Sequence, residues 1–144
     1  MRFFPVLGTL LTFGAMSAAN ASPTAVEGTW LNGDGDGLIR VELAGSELRA
    51  TILGSATGDS GRADRDEKNP DPALRNRPLT GLNIFSGFRY DGDDTWSGGR
   101  IYDPNSGNTY RCKIQLLDSN TLKVRGFIGV SLFGRTEIWK RRPN

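Results

Sequence analysis

Beyond residue 26 the chain alternates apolar and polar side chains with a period of two, and no segment longer than about ten residues keeps the i, i+3, i+4, i+7 spacing of an amphipathic helix. A period of two gives each run one face to bury and one to wet, so the runs must close around, or stack over, a shared apolar layer. Ile39, Val41 and Leu43 alternate with Arg40 and Glu42, and Leu48, Ala50 and Ile52 alternate with Arg49 and Thr51. Ala44-Gly45-Ser46 separates these two runs, which predicts a hairpin. Tyr110, Cys112, Ile114 and Leu116 form another set, and Leu122, Val124, Gly126 and Ile128 a further one beyond Asp118-Ser119-Asn120. With Gly28 to Leu31, Leu82 to Tyr90, Thr95 to Asp103 and Gly134 to Arg141, about eight short strands are expected, at the spacing of an all-β sandwich or barrel.

The links between runs are short and turn-forming, as in Asp91-Gly92-Asp93-Asp94 and Pro104-Asn105-Ser106-Gly107. Consecutive antiparallel strands then predict an up-and-down meander closed into a barrel, with a sandwich as the alternative. The polar face carries Arg40, Glu42, Arg49, Arg111, Lys113, Lys123 and Arg125. Such charges belong in water, which favours an apolar interior over the lipid-facing outer band of an outer-membrane barrel.

The N-terminus reads as a cleavable signal peptide. Met1-Arg2 is positive, Phe3 to Met16 is apolar apart from two Thr and two Gly, and Ala19-Asn20-Ala21 supplies the A-x-A pattern. Cleavage is expected between Ala21 and Ser22. The apolar run is too short for a spanning helix, which needs about 20 residues, so no integral membrane segment is expected after cleavage. The first 21 residues carry one Arg, leaving a single domain over 22–144 whose 123 residues hold 17 basic and 16 acidic groups, a net +1. A periplasmic or secreted protein is the expectation, and the near-balanced charge speaks against a nucleic-acid partner.

Composition narrows the chemistry further. The chain has no His and one Cys, which removes Ser-His-Asp and Cys-His catalysis, His-ligated metals and an internal disulfide. Gly129-Val130-Ser131 lacks the second Gly of a nucleophile elbow, since Phe133 stands in its place. Asp34-Gly35-Asp36-Gly37 departs from a calcium loop at Leu38 and lacks the closing Glu, so it reads as a turn, and no metal or cofactor is expected. Cys112 alternates with the apolar set and should point inward. A protein that binds, and not an enzyme, is the expectation.

The 55–79 stretch interrupts the meander with a long polar loop holding three of the seven Pro. Loops beyond about 12 to 15 residues tend to be functional or disordered. Asn69-Pro70-Asp71-Pro72 is rigid, and Asp71 is placed to cap a helical turn over Pro72 to Arg75. As a lid, the loop offers Arg75 and Arg77 to an anion and Asp66, Asn69 and Asp71 as polar partners. As a plug on the barrel end, it pairs those carboxylates with the arginines.

Three stretches carry a resemblance. They run from Asp66-Glu67-Lys68-Asn69-Pro70-Asp71 to Leu79-Thr80-Gly81, from Trp96-Ser97-Gly98-Gly99-Arg100-Ile101-Tyr102-Asp103-Pro104 to Gly107 and Tyr110, and from Leu122 to Gly129 with Leu132, Gly134, Arg135 and Trp139. The chain resembles the bacterial exported family called domain of unknown function 2147. That resemblance implies a lipocalin-like β-barrel and leaves the biochemical role open. Gly28-Thr29-Trp30 is also similar to the first Gly-x-Trp motif of lipocalins, in which the Trp closes one barrel end beneath a late-strand cation. Arg141 or Arg142 is placed to supply it. Gly28, Trp30, Gly99, Asp103, Pro104 and Trp139 read as architectural, Gly98-Gly99 relieving crowding where a bulky ring crosses. Trp96 and Tyr102 are either core or part of a ligand site. Arg125 and Arg135 are the arginines that would orient an acidic head group if they face the cavity.

Two functions follow. The first is an exported carrier whose barrel admits a small apolar or amphipathic ligand, contacted by Asp66, Asn69, Asp71, Arg75, Arg77, Trp96, Tyr102, Arg125 and Arg135. The second is a non-enzymatic structural or interaction module with an envelope protein as partner, which predicts a closed interior.

Overall fold

The computed structural model describes residues 22–58, 64–130 and 132–143. The expected signal segment, with Ala21 of its expected cleavage site, lies outside the described residues, as do Arg62 of the long loop and Ser131. A 3-10 turn, Pro23–Val26, is capped by the Ser22 side chain. Nine strands follow: β1 (Gly28–Leu31), β2 (Gly37–Ala44), β3 (Glu47–Ser55), β4 (Phe85–Ser86), β5 (Arg89–Gly92), β6 (Thr95–Asp103), β7 (Asn108–Asp118), β8 (Thr121–Phe127) and β9 (Gly134–Arg141).

All pairings are antiparallel, in the order β3-β2-β1-β9-β8-β7-β6-β4, with β5 also on β6. The first strand thus pairs with the last, Trp30 standing opposite Arg141. The remaining seam lies between β3 and the segment entering β4. There the Ile52 N–H donates to the Leu82 carbonyl (2.9 Å) and the Gly81 N–H to Ile52 (2.8 Å). Lower down, the Ile84 N–H donates to Ala50 (2.8 Å), and Asn83 Oδ1 accepts from the Ala50 N–H at 2.9 Å. Asn83 stitches the seam where a regular ladder stops, so the sheet is an eight-position, nearly closed barrel.

The expected single strand over Leu82 to Tyr90 is divided. Gly87 has φ 72°, and the chain jogs there into β4 and β5, both laid on β6. The two pieces keep one register on β6, Ser86 opposite Arg100 and Arg89 opposite Ser97, so the break is a local departure from the ladder at Gly87 and Phe88, facing the stretch between Trp96 and Gly99 where β6 bulges against β7. The other expected runs stand as strands.

Inward parity follows the sequence. Val41, Leu48, Ala50, Ile114 and Leu122 are fully buried, and Trp30, Phe85, Cys112, Val124 and Trp139 join them. Each such aliphatic side chain contributes about 1.5–3 kcal/mol by leaving water. The barrel is apolar inside and charged outside, the reverse of a membrane-spanning barrel. No described helix is long and apolar enough to cross a membrane.

Candidate functional site

One barrel end is shut. Trp30 lies beneath the first 3-10 turn and donates from Nε1 to the Val26 carbonyl (3.0 Å). The Arg141 guanidinium stacks 4.3 Å over the Trp30 ring and donates to the carbonyls of Glu27 (2.5 Å), Ala25 (2.6 Å) and Ser119 (2.6 Å). Of the two cations expected over this Trp, Arg141 fills the place. Gly28 is required beside it, because a Cβ there would run into the Arg141 guanidinium. The backbone carbonyls hold the cation while the indole lends its negative face.

The opposite end opens into a cavity of about 700 Å³, within the range of ligand sites. Ile39, Ile52, Ile84, Ile101, Val124 and Trp139 wall its depth. Trp139 also stacks on Phe85, with ring centroids 5.8 Å apart, and its buried Nε1 has no hydrogen-bond partner among the described residues. The rim is formed by the β1–β2 loop, the long loop at Asp64 to Lys68, the β6–β7 turn at Asp103 to Asn105, and the β8–β9 loop.

Four of the eight charged residues lining the cavity are already engaged. Glu137 Oε1 accepts from the Gly33 N–H (2.6 Å), and the Asp103 carboxylate accepts from the Asn105 N–H (2.9 Å) and the Ser106 hydroxyl (2.8 Å). Arg65 donates to the Asn76 carbonyl and Lys68 to the Asn105 carbonyl, both at 2.9 Å. Arg135 differs. It shares strand parity with Glu137 and Trp139, lines the cavity, and makes no hydrogen bond or ion pair among the described residues.

The long loop is tied down by a buried carboxylate. Asp66, fully buried, accepts hydrogen bonds from the Tyr102 hydroxyl, from Asn69 Nδ2 (2.8 Å) and from Arg77 Nε (2.8 Å). Burial by itself pushes the Asp66 pKa up, but the three donors and the Arg77 charge together hold it below the usual carboxylate value. The Tyr102 phenol is pushed up to about 12, first by burial and then by the adjoining carboxylate. Asp71 accepts from the Ala73 N–H (2.9 Å) and caps the 3-10 turn Pro72–Leu74, as its spacing predicts. Arg75 Nε donates to the Asn69 carbonyl (2.8 Å). Gly107 completes the dock, since a Cβ there would strike the Lys68 carbonyl.

The structure therefore sorts the nine expected ligand residues. Tyr102 and Arg135 border the cavity. Asp66, Asn69, Asp71, Arg75 and Arg77 are brought together, but with one another, in the plug arrangement, because a buried carboxylate in this loop needs those donors. Trp96 packs in the core against Tyr90, with centroids 4.9 Å apart, away from the cavity. Arg125 is corrected outright. It alternates with inward Val124, lies on the outer wall and donates to Thr136 Oγ1 (2.9 Å).

Among the architectural residues, the Phe88 ring lies over Gly99 where a Cβ would stand, and Asp103-Pro104 shapes the rim turn. Asn32 Oδ1 accepts from the Asp36 and Gly37 N–H groups (both 3.1 Å), so the Asp-Gly-Asp-Gly stretch is a self-bonded turn. Sequence reasoning missed the exposed apolar β8–β9 loop, although its signal, the run Phe127 to Phe133 where a polar turn belongs, was present.

A family model described as an uncharacterized protein conserved in bacteria, domain of unknown function 2147, matches residues 28–141. The chain belongs to this family. No curated protein matches it. The family member's fold is similar to that of protein HP1028 from the human pathogen Helicobacter pylori, described as belonging to the lipocalin family. The TM-score is 0.75 at 22% identity, over 82% of this chain and 83% of the other. The fold is a lipocalin-like barrel.

Proposed function

We propose that this family member is an exported, periplasmic or secreted binding protein that carries a small amphipathic molecule in its barrel. The apolar part would lie against Ile39, Ile84, Val124 and Trp139, and an anionic head would meet Arg135 at the rim. The observation that carries this reading is the open cavity of about 700 Å³ with its apolar depth. The alternative, an envelope interaction module with a closed interior, fits that cavity poorly.

Binding without catalysis is supported by what the reactive groups are doing. The chain has no His, the Cys112 thiol is buried and pushed up to about 12, chiefly by that burial, and Asp66 is committed to the loop. Export is supported by the three-part pattern of residues 1–21.

The test is solvent extraction of protein purified from its host without detergent, followed by mass spectrometry, with anilinonaphthalene sulfonate titration of the stripped protein. A co-purifying amphiphile and saturable probe fluorescence are expected. An empty extract together with no probe binding overturns the proposal.

A further inference from the structure

The loop joining β8 to β9 is apolar where every neighbouring turn is polar. Ile128, Val130, Leu132 and Phe133 are 70, 58, 81 and 70% exposed. The loop is nonetheless shaped, with the Ile128 N–H donating to the Phe133 carbonyl (3.1 Å) and the Phe133 N–H to Val130 (3.0 Å). Other exposed apolar side chains, such as Leu53 and Leu117, stand singly on the barrel, which is ordinary. Four together on one projecting tip are not, because each gives up transfer free energy for as long as it stays wet.

Below this tip, the outward positions of β6 to β9 form a cationic wall. Strand parity and register place Arg100 opposite Arg111, Lys113 opposite Arg125, and Lys123 and Lys140 beside them. The outward positions of β7, β8 and β9 between Arg111 and Gln115, Lys123 and Arg125, and Thr136 and Lys140 carry no carboxylate. Asp91 and Asp118, whose charges are felt by Lys113 and Lys140, stand at its margins toward the closed end. Like charges directly opposite one another weaken a sheet, so the arrangement does nothing for stability. Tip and wall are one surface, since Arg111 Nη1 donates to the Gly129 carbonyl at 3.4 Å.

An apolar tip flanked by cations complements a surface that offers hydrocarbon beneath a layer of anions. We infer that the protein docks on an anionic phospholipid surface, with the β8–β9 loop inserted between head groups and the β6–β9 wall lying against the phosphates. A soluble protein partner would supply an apolar groove but has no need of so continuous a basic apron. The inference rests on loop and wall, not on what fills the barrel. Its geometric consequence is that Ile128 and Phe133, which border the cavity mouth, bring that mouth to the lipid.

The test uses the full chain carrying Leu132→Cys labelled with an environment-sensitive nitrobenzoxadiazole dye; buried Cys112, its thiol pushed up to about 12, stays unlabelled. A chain labelled through Ser46→Cys, at the closed end, serves as the reference. Vesicles of equimolar phosphatidylethanolamine and phosphatidylglycerol should blue-shift the tip label and leave the reference label unchanged, whereas phosphatidylcholine vesicles should shift neither. In sedimentation, Leu132→Asp with Phe133→Asp should weaken binding at least about tenfold. Lys113→Ala should weaken it about fivefold, and more salt should weaken it further. All three substitutions are on exposed side chains, and unchanged thermal unfolding checks that the barrel persists. Equal shifts at both labels, or binding that ignores the Asp substitutions, overturn the proposal. So does a concentration-dependent tip shift without lipid, which would mean a second copy covers the loop.

Discussion

Replacing Asp66 tests whether one buried carboxylate holds the long loop on the barrel. Its truncation to Ala orphans three donors at once, but unequally. Arg77 has a side chain 34% exposed and can turn to water, so its loss is near the value of an exposed pair, about 0.2–1 kcal/mol. Asn69 is buried and the Tyr102 hydroxyl is enclosed by the loop, and each leaves an unmet donor costing about 1–2 kcal/mol. Asp66→Ala is therefore expected to lose about 2–5 kcal/mol. Asp66→Asn should lose less, about 1–2 kcal/mol, because its carboxamide oxygen still serves Asn69 and Arg77 while its NH₂ faces a hydroxyl that can reverse from donor to acceptor. The folded-state pKa of Asp66 is lowered, so its contribution is fully present above the unfolded value near 4 and is lost as pH falls through the folded value. Urea unfolding followed by Trp fluorescence should thus show a gap between wild type and Asp66→Asn at neutral pH that narrows below about pH 4. Hydrogen exchange should show the Asp66 and Leu79 amides, which bond to Arg77 (3.0 Å) and Asp64 (2.9 Å), losing protection before the strands. A gap of the same size at both pH values would refute the reasoning, as would Asp66→Ala costing under about 0.5 kcal/mol.

Other perturbations address the remaining features. Arg141→Ala removes three hydrogen bonds and a cation over Trp30, and should cost about 3 kcal/mol in chemical denaturation, with Arg141→Lys recovering only part. The raised pKa of Tyr102 means its contribution is present below pH 10 and lost as pH rises toward about 12, so alkaline unfolding should begin at lower pH for wild type than for Tyr102→Phe once both are referenced to their neutral stability. Arg135→Ala should weaken anionic probe binding about tenfold while leaving stability unchanged, and Arg125→Ala on the outer wall should leave probe binding unchanged. Asp93 and Asp94 form the β5–β6 turn with φ of 51° and 56°, so Asp94→Gly should raise stability by about 0.5–1 kcal/mol in thermal unfolding.

The sequence determined the faces of the strands, because alternation at period two is a local property that survives whatever the strands pair with. That is why Cys112 could be placed inside, and why parity with inward Val124 overrules Arg125 as a cavity contact; Asp71 was legible as a cap from its place before Pro72. The Gly98-Gly99 pair likewise announced a point of close approach, and Gly28 was marked by the Gly-x-Trp resemblance. Tertiary structure decided everything that depends on distant segments meeting. The pairing of Trp30 with Arg141 selected one of two adjacent cations by strand register. A jog at Gly87, facing the β6 bulge, divided an apparently continuous strand, and buried Asp66 and the Asn69 carbonyl drew Arg77 and Arg75 away from the cavity. The cavity is the clearest case, since an interior is empty or full according to the summed side-chain volumes of eight strand positions, and no local pattern carries that sum. The same holds for the cationic wall and apolar tip, whose residues are scattered from Arg100 to Lys140 and become one surface only when the strands align.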